Sequence, residues 1–147
     1  MASFGTSQED LKIIYILFIR SLLDQSATVW HSSLTDDDTN DLERVQKCAM
    51  KIIFQEKYKG YKYSLNQLGL LTLSERREQL CLSFALKCVK HPKLQDMFPL
   101  NNKTQVNTRY PEKYKVQYAH TERLNTFSVV YMQNLLNQHE AQMSSHA

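Results

Sequence analysis

Residues 72–92 read TLSERREQLCLSFALKCVKHP, and this stretch decides the fold class. Thr72 followed by Glu75 has the spacing of a capping box, which starts a helix, and Pro92 ends one. Between them the apolar positions cover well over half of a helical wheel. These positions are Leu73, Leu80, Cys81, Leu82, Phe84, Ala85, Leu86, Cys88 and Val89. The stretch therefore predicts a central core helix over about 74–90.

One charged residue, Arg77, falls inside the apolar arc of this helix. A buried guanidinium without a compensating charge is costly, so Arg77 should have an acidic partner. Asp41 and Glu43 are the expected candidates.

Composition extends the helical prediction to the whole chain. Only three glycines and three prolines occur in 147 residues, which is too few for the frequent turns of an all-β protein. We predict an all-α fold, a compact bundle of four to five helices with a long irregular segment before the last one. The core helices are expected at about 9–30, 37–54, 74–90 and 124–138. Residues 1–8 are expected to be a disordered leader, 9–138 a single helical domain and 139–147 a frayed tail.

The first helix is apolar on almost every side. Its apolar positions are Leu11, Ile13, Ile14, Tyr15, Ile16, Leu17, Phe18, Ile19, Leu22 and Leu23. Such a helix is buried on most sides or lacks a neighbour that would cover it. The run Ile13–Ile19 is shorter than the roughly 20 residues of a bilayer span, so a core helix and no membrane contact are predicted. An uncovered face would instead promote self-association, and a homo-oligomer is the expected result.

The second helix has two different faces. Thr35 and Asp38 form a capping box at its start. Its apolar stripe comprises Leu42, Val45, Ala49, Ile52 and Ile53, with Cys48 at the edge, and its opposite face carries Arg44, Lys47 and Lys51. This basic face either lies along a phosphate backbone or is a solvated surface in which Glu43 and Lys47 support each other at i, i+4.

Two segments interleave basic and aromatic side chains. The first contains Lys57, Tyr58, Lys59, Tyr61, Lys62 and Tyr63, and the second contains Arg109, Tyr110, Lys113, Tyr114, Lys115 and Tyr118. Cations that neutralise phosphate and rings that stack on bases are typical of RNA or single-strand contact. The alternative is a solvated loop whose tyrosine rings close the edge of the core. The net charge of +3 and the sequence pI near 8.7 allow either interpretation.

Cysteine usage indicates a reducing compartment. Cys48, Cys81 and Cys88 are odd in number, and no secretory leader precedes them, so all three are expected to be buried thiols of an intracellular protein, nuclear or cytoplasmic. Cys88 and His91 have metal-like spacing, but a structural zinc site needs four ligands. No metal, cofactor or small-molecule substrate is therefore predicted.

Four stretches, in order, resemble the part of LINE-type, non-LTR retrotransposon reverse transcriptases that follows the palm. They are FIRSLLDQSATVWHSSLTDDDTNDLERVQKCAMKII (18–53), YSLNQLGLLTLSERREQLC (63–81), FPLN (98–101) and FSVVYMQNLLN (127–137). The resemblance covers roughly 11–138. It implies that 9–90 is thumb-like, that 91–138 is a C-terminal extension, and that the chain grips RNA or an RNA–DNA duplex.

The chain departs from that family in its catalytic residues. The aromatic residue and aspartate pair of the palm are absent, and Asp36, Asp37 and Asp38 are consecutive in one turn. Phosphoryl transfer needs carboxylates from separate elements converging on paired metal ions. The chain is therefore expected to be no enzyme, at most a fragment of an RNA-directed DNA polymerase. The alternative function is an inert or repurposed interaction module that self-associates through the first helix.

Overall fold

A computed structural model describes residues 5–101 and 112–145, and every regular element within these ranges is helical. The α-helices are α1 (Gln8–Ile14), α2 (Ser21–Asp24), α3 (Ala27–Trp30), α4 (Asp36–Phe54), α5 (Tyr61–Leu68), α6 (Leu73–Lys90), α7 (Glu122–Asn125) and α8 (Ser128–Ser145). A π-helical segment, Tyr15–Arg20, joins α1 to α2, and 3-10 turns lie at His31–Ser33, Gln55–Lys57 and Gln95–Met97. The predicted all-α fold is confirmed.

Contacts group the described residues into two units. The first unit holds residues up to 27 together with 34–77, and the second holds 28–33 and the residues from 78 onward. The helix α6 contributes to both, since the division falls after Arg77. This division differs from the boundary between 90 and 91 that the sequence suggested.

The helix starts follow the predicted capping signals. The backbone amide of Asp38 donates to the Thr35 hydroxyl at 3.2 Å, and its carboxylate accepts from the Thr35 amide at 3.2 Å. Glu75 and Thr72 form the same reciprocal pair at 3.2 and 3.1 Å. Both capping boxes are confirmed. Gly69, with φ of 64°, closes α5 in the left-handed conformation that glycine favours.

The predicted ends of the chain need correction. The helix α8 continues to Ser145, although a frayed tail was expected from 139. No glycine or proline interrupts this tail, and Glu140 is held by Lys113 at 2.8 Å. The helix α1 begins at Gln8, inside the predicted leader, while residues 1–4 lie outside the described ranges. So do residues 102–111 of the predicted irregular segment, whose described flanks carry a 3-10 turn and one isolated bridge, Leu100–Tyr114.

The core of the first unit is formed by three elements: the N-terminal helix (residues 8–24), α4 and α5. Its buried residues are Tyr15, Ala49, Met50, Ile53, Phe54, Leu65, Leu68 and Leu70. The predicted stripe on α4 is therefore partly wrong, because Val45 and Ile52 are exposed whereas Gln46 and Met50 are completely buried. The reason lies in a long-range bond: the Gln46 side-chain amide donates to the Leu71 carbonyl at 3.0 Å. This bond lets a polar residue occupy the core side of the helix.

The core of the second unit is formed by the rest of α6, the segment around Phe98 and Tyr114, and α8. Its buried residues are Cys81, Ala85, Cys88, Phe98, Tyr114, Met132, Leu135 and Leu136. Cys81 and Cys88 are buried as predicted, and burial raises the pKa of the Cys88 thiol. Cys48 is exposed, and Phe84 is 43% exposed, so neither is the core residue that was expected.

Arg77 is completely buried, as its place in the apolar arc predicts. The acidic residues expected near it have contacts of their own, and the pairing with Arg77 stays a prediction. Asp41 forms an ion pair with Arg44 at 2.5 Å, and Glu43 accepts hydrogen bonds from Tyr61 and Ser74.

The N-terminal helix (residues 8–24, comprising α1, the π-helical segment and α2) is covered on one side only. Tyr15 is buried against the first unit's core, whereas Leu17, Phe18 and Leu22 are 61%, 65% and 70% exposed. The expectation of a core helix is thus wrong for most of its surface, because the described residues of this unit cover only its Tyr15 side. By length and composition alone, residues 8–33 form one helix apolar enough to cross a membrane, with 11% of its most apolar window buried.

We predict that Tyr15→Phe stabilises the first unit. Tyr15 is 2% exposed, and its hydroxyl has no hydrogen-bond partner among the described residues. Removing a buried hydroxyl of this kind should raise the free energy of unfolding by about 1 kcal/mol at pH 7, measured by urea denaturation. Tyr118→Phe, at a ring that is 77% exposed, is the control. A destabilised Tyr15→Phe protein would contradict the assignment.

The same substitution should change the pH dependence of stability. Burial, as the largest cause, raises the pKa of Tyr15 to about 12. The unfolded phenol ionises at about pH 10, and the buried phenol stays protonated to about pH 12. Ionisation of the unfolded state therefore lowers the free energy of unfolding as the pH rises from about 10 to about 12. Tyr15→Phe should therefore lose stability less steeply over this interval than the parent protein does.

Candidate nucleic-acid interface

The basic face of α4 is exposed to solvent. Arg44, Lys47 and Lys51 follow one another at helical spacing, and all three are exposed. Arg44 is paired with Asp41, and the two side chains are 75% and 67% exposed, so this ion pair is weak. Asp37 and Asp41 line the same shallow depression as Arg44 and Lys47. The face is therefore mixed in charge at its N-terminal end and purely basic from Lys47 onward.

The segment EKYKGYKY (56–63) is more ordered than the irregular stretch that its sequence suggests. A 3-10 turn, Gln55–Lys57, follows α4, and α5 then begins at Tyr61. Gly60 permits this start because its φ of 140° is rarely adopted by other residues. The turn brings the chain back toward α4, so that α4 and α5 pack together in the first unit.

A cation–π contact joins the two basic groups. The Lys47 ammonium lies 5.4 Å from the centroid of the Tyr61 ring, within the range of about 6 Å for such contacts. Lys59 lies 5.7 Å from the Tyr63 ring. The first contact places Lys47 of α4 beside the start of α5. The exposed lysines of α4 and of 57–62 are grouped here as one candidate surface of the first unit. We call it the α4–α5 basic surface, and it comprises Lys47, Lys51, Lys57, Lys59 and Lys62.

Glu43 links α4 to α5 and to the start of α6. Its carboxylate accepts a short hydrogen bond from the Tyr61 hydroxyl and a second one, at 2.9 Å, from the backbone amide of Ser74. Burial and then the bond to Glu43 raise the pKa of Tyr61. The expected i, i+4 pair of Glu43 with Lys47 is replaced by these contacts. Sequence reasoning missed this role, because the partners lie 18 and 31 residues away and leave no local signal.

The tyrosines of the first segment divide into two groups. Tyr58 and Tyr61 are half-buried and pack against the first unit's core, so for them the edge-packing alternative is the correct one. Tyr63 is 44% exposed and keeps a face free of the core. Base stacking by Tyr58 and Tyr61 would require them to leave their packed positions. The surface is therefore suited to phosphate contact more than to stacking.

The second basic–aromatic segment belongs to the other unit and has a different character. Tyr114 is 4% exposed and belongs to the core, so the prediction of a stacking ring there is wrong. The Asn137 side chain accepts a hydrogen bond from the backbone amide of Tyr114 and donates one to the backbone carbonyl of Tyr114, both at 2.9 Å. These two bonds hold Tyr114 in its buried position. Lys113 is committed to Glu140, and that hydrogen bond, as the largest cause, raises the pKa of Lys113. Lys115 is exposed.

Two further predicted contacts, Arg109 and Tyr110, lie outside the described residues. Of the predicted site, the structure brings Lys47 of α4 against Tyr61 of α5, and the rest of the site stays a prediction. The structure places Lys113, Tyr114 and Lys115 in the second unit.

The titratable side chains show no metal-binding arrangement within residues 5–101 and 112–145. No group of three or more histidine, cysteine, aspartate or glutamate residues is close enough to hold an ion there. Cys88 and His91 have the spacing of metal ligands, but the Nδ1 atom of His91 accepts a hydrogen bond from the Lys93 amide at 3.3 Å.

No protein-family model, curated protein or solved structure matches the chain. The similarity to non-LTR reverse transcriptases therefore rests on the four sequence stretches alone and stays a prediction.

We predict that Glu43 contributes far more stability than its exposed neighbour Asp41. Glu43→Gln keeps the shape but leaves one acceptor oxygen for two donors, and it should lower the free energy of unfolding by about 1–2 kcal/mol. Glu43→Ala should lower it by about 2–4 kcal/mol, since two part-buried donors lose their partner. Asp41→Asn, the matched control on the same helix, should stay within about 0.5 kcal/mol. Equal losses for the two positions, in urea denaturation, would refute this role for Glu43.

Proposed function

We propose that the first unit binds the phosphate backbone of RNA or an RNA–DNA duplex, without catalysis, through the α4–α5 basic surface. The observation that supports the proposal is the Lys47–Tyr61 contact, because it places a lysine of the α4 basic face beside the helix that follows the lysine-rich segment 57–62. Between Arg44 and Tyr63 there are six basic residues and a single acidic one, Glu56. The five lysines of the surface are all exposed and available to phosphate.

The chemistry of this surface favours backbone contact over base recognition. Lysine ammonium groups are compact charges on flexible stems, and they position a nucleic acid without reporting its sequence. The half-buried rings of Tyr58 and Tyr61 stabilise the surface from inside. The proposed activity is thus salt-dependent, sequence-independent binding of the phosphate backbone, in duplex RNA as readily as in single strands.

We predict that nucleic-acid binding weakens strongly as the salt concentration rises, and that three lysines account for most of this dependence. Fluorescence anisotropy with labelled RNA duplex and RNA–DNA duplex should show log K falling with log salt concentration, by roughly 0.9 per phosphate neutralised. Combining Lys47→Gln, Lys51→Gln and Lys59→Gln should reduce the magnitude of that slope by about two to three and weaken binding at every salt concentration.

The control removes the same charge from the other unit. Lys87, Lys90 and Lys93 are exposed as well, and their replacement by glutamine lowers the net charge equally. If both triple variants change the slope alike, the binding comes from overall charge and the α4–α5 basic surface is not the site. Absence of binding by the parent protein at low salt would reject the proposal entirely.

A further inference from the structure

The exposed side of the N-terminal helix carries a continuous apolar surface. We call it the N-terminal apolar face, and it comprises Ile13, Ile14, Leu17, Phe18 and Leu22, each between 47% and 70% exposed. Exposed apolar surface of this extent marks an interaction site more often than it marks ordinary protein surface. The opposite side of the same helix, with Tyr15, is buried in the first unit's core.

Ser21 is an exposed polar residue beside this face, and its hydroxyl proton is bonded within the helix. The Ser21 hydroxyl donates to the Leu17 carbonyl at 2.5 Å and lies 3.1 Å from the Phe18 carbonyl. Covering Ser21 with another apolar surface therefore leaves its hydroxyl proton with a partner. Its small size also allows a second helix to approach closely. These features suit the face to contact with another helix.

The size of the face fits a second copy of itself. Five side chains at these exposures present on the order of 500 Å² of apolar surface, and two copies together would cover roughly 1,000 Å². Specific interfaces begin at about that area. A self-complementary contact also follows from the residue order, because Ile13 at one end matches Leu22 at the other, with Leu17 and Phe18 between them.

Charge decides the direction of pairing. Glu9 and Asp10 are exposed at the start of the helix, and no charged side chain lies among the face residues themselves. A parallel pair would bring the acidic ends of both copies together. An antiparallel pair places each of them at the other copy's C-terminal end, where the charge of Asp24 is paired with Arg76 at 2.7 Å. The same acidic end disfavours the negatively charged surface of an anionic membrane.

We propose that two copies of the chain associate through the N-terminal apolar face as an antiparallel, two-fold symmetric helix pair. The interface centres on Leu17, Phe18 and Ser21. It shares no residue with the α4–α5 basic surface, and its test contains no nucleic acid, so the two proposals are tested separately.

Sedimentation of the whole chain over a range of concentrations tests the association. We predict a reversible monomer–dimer equilibrium whose dissociation constant rises at least about tenfold in Phe18→Glu, because a carboxylate would be buried among apolar groups. Val29→Glu is the matched control, since Val29 is 68% exposed but lies on α3 outside the face. Circular dichroism verifies that each variant is folded. A monomer at all concentrations, or equal effects of the two substitutions, overturns the proposal.

Cysteine cross-linking tests the direction. In a Cys48→Ser background, which removes the exposed thiol, Ile13→Cys chains alone should not cross-link. In an antiparallel pair the two positions are separated by roughly 13 Å of helix rise, too far for a disulfide. A mixture of Ile13→Cys and Leu22→Cys chains, distinguished by mass, should give the mixed disulfide. Cross-linking of Ile13→Cys with itself would overturn the antiparallel arrangement.

Vesicle co-sedimentation separates a second copy from a lipid surface. Phosphatidylcholine vesicles, with and without phosphatidylserine, should leave the parent protein in the supernatant. Binding that Phe18→Glu abolishes would show that the face inserts into lipid, and the proposal of a helix pair would be rejected.

Discussion

The first unit depends on a single carboxylate placed where three helices meet. Glu43 on α4 accepts from the Tyr61 hydroxyl of α5 and from the Ser74 amide at the start of α6. A carboxylate loses its hydration when it is enclosed in this way, so it is tolerated only because donors from two other elements replace the water. Those donors fix the position of α5 against α4. Without that position, Lys47 of α4 would not contact the Tyr61 ring of α5.

Local features of the fold were accessible from the sequence, and long-range ones were not. The capping boxes of Thr35 with Asp38 and of Thr72 with Glu75 depend on groups three residues apart, so their spacing is visible in the chain. Burial of Gln46 depends on the Leu71 carbonyl, 25 residues away. A helical wheel assigns an amide to the solvent side and Val45 to the core, and the structure reverses both. Periodicity predicts that a helix has two faces, but the partner decides which one is covered.

The burial of the tyrosines at the candidate site could not be predicted from the sequence, for the same reason. Alternating lysine and tyrosine is equally compatible with stacking platforms and with rings that close a core edge. The outcome is set by residues outside the motif: Glu43 holds Tyr61, and Asn137 bonds both backbone groups of Tyr114. The charged half of the motif was predictable, because lysines stay exposed in nearly any fold. The aromatic half was not, and only Tyr63 of the first segment keeps a largely open ring.

The two proposed surfaces are products of the same packing. Tyr15 anchors the N-terminal helix to the core that α4 and α5 build, which leaves the apolar side of that helix outward and the lysines outward elsewhere on the unit. A helix pair would therefore join two basic surfaces in one particle. Two weak electrostatic contacts that act on one nucleic acid reinforce each other, since the second forms at the high local concentration set by the first. By linkage, a duplex long enough to reach both surfaces would in turn favour the paired state over the monomer. Apolar association and phosphate binding, which respond oppositely to salt, would then be coupled in a single equilibrium.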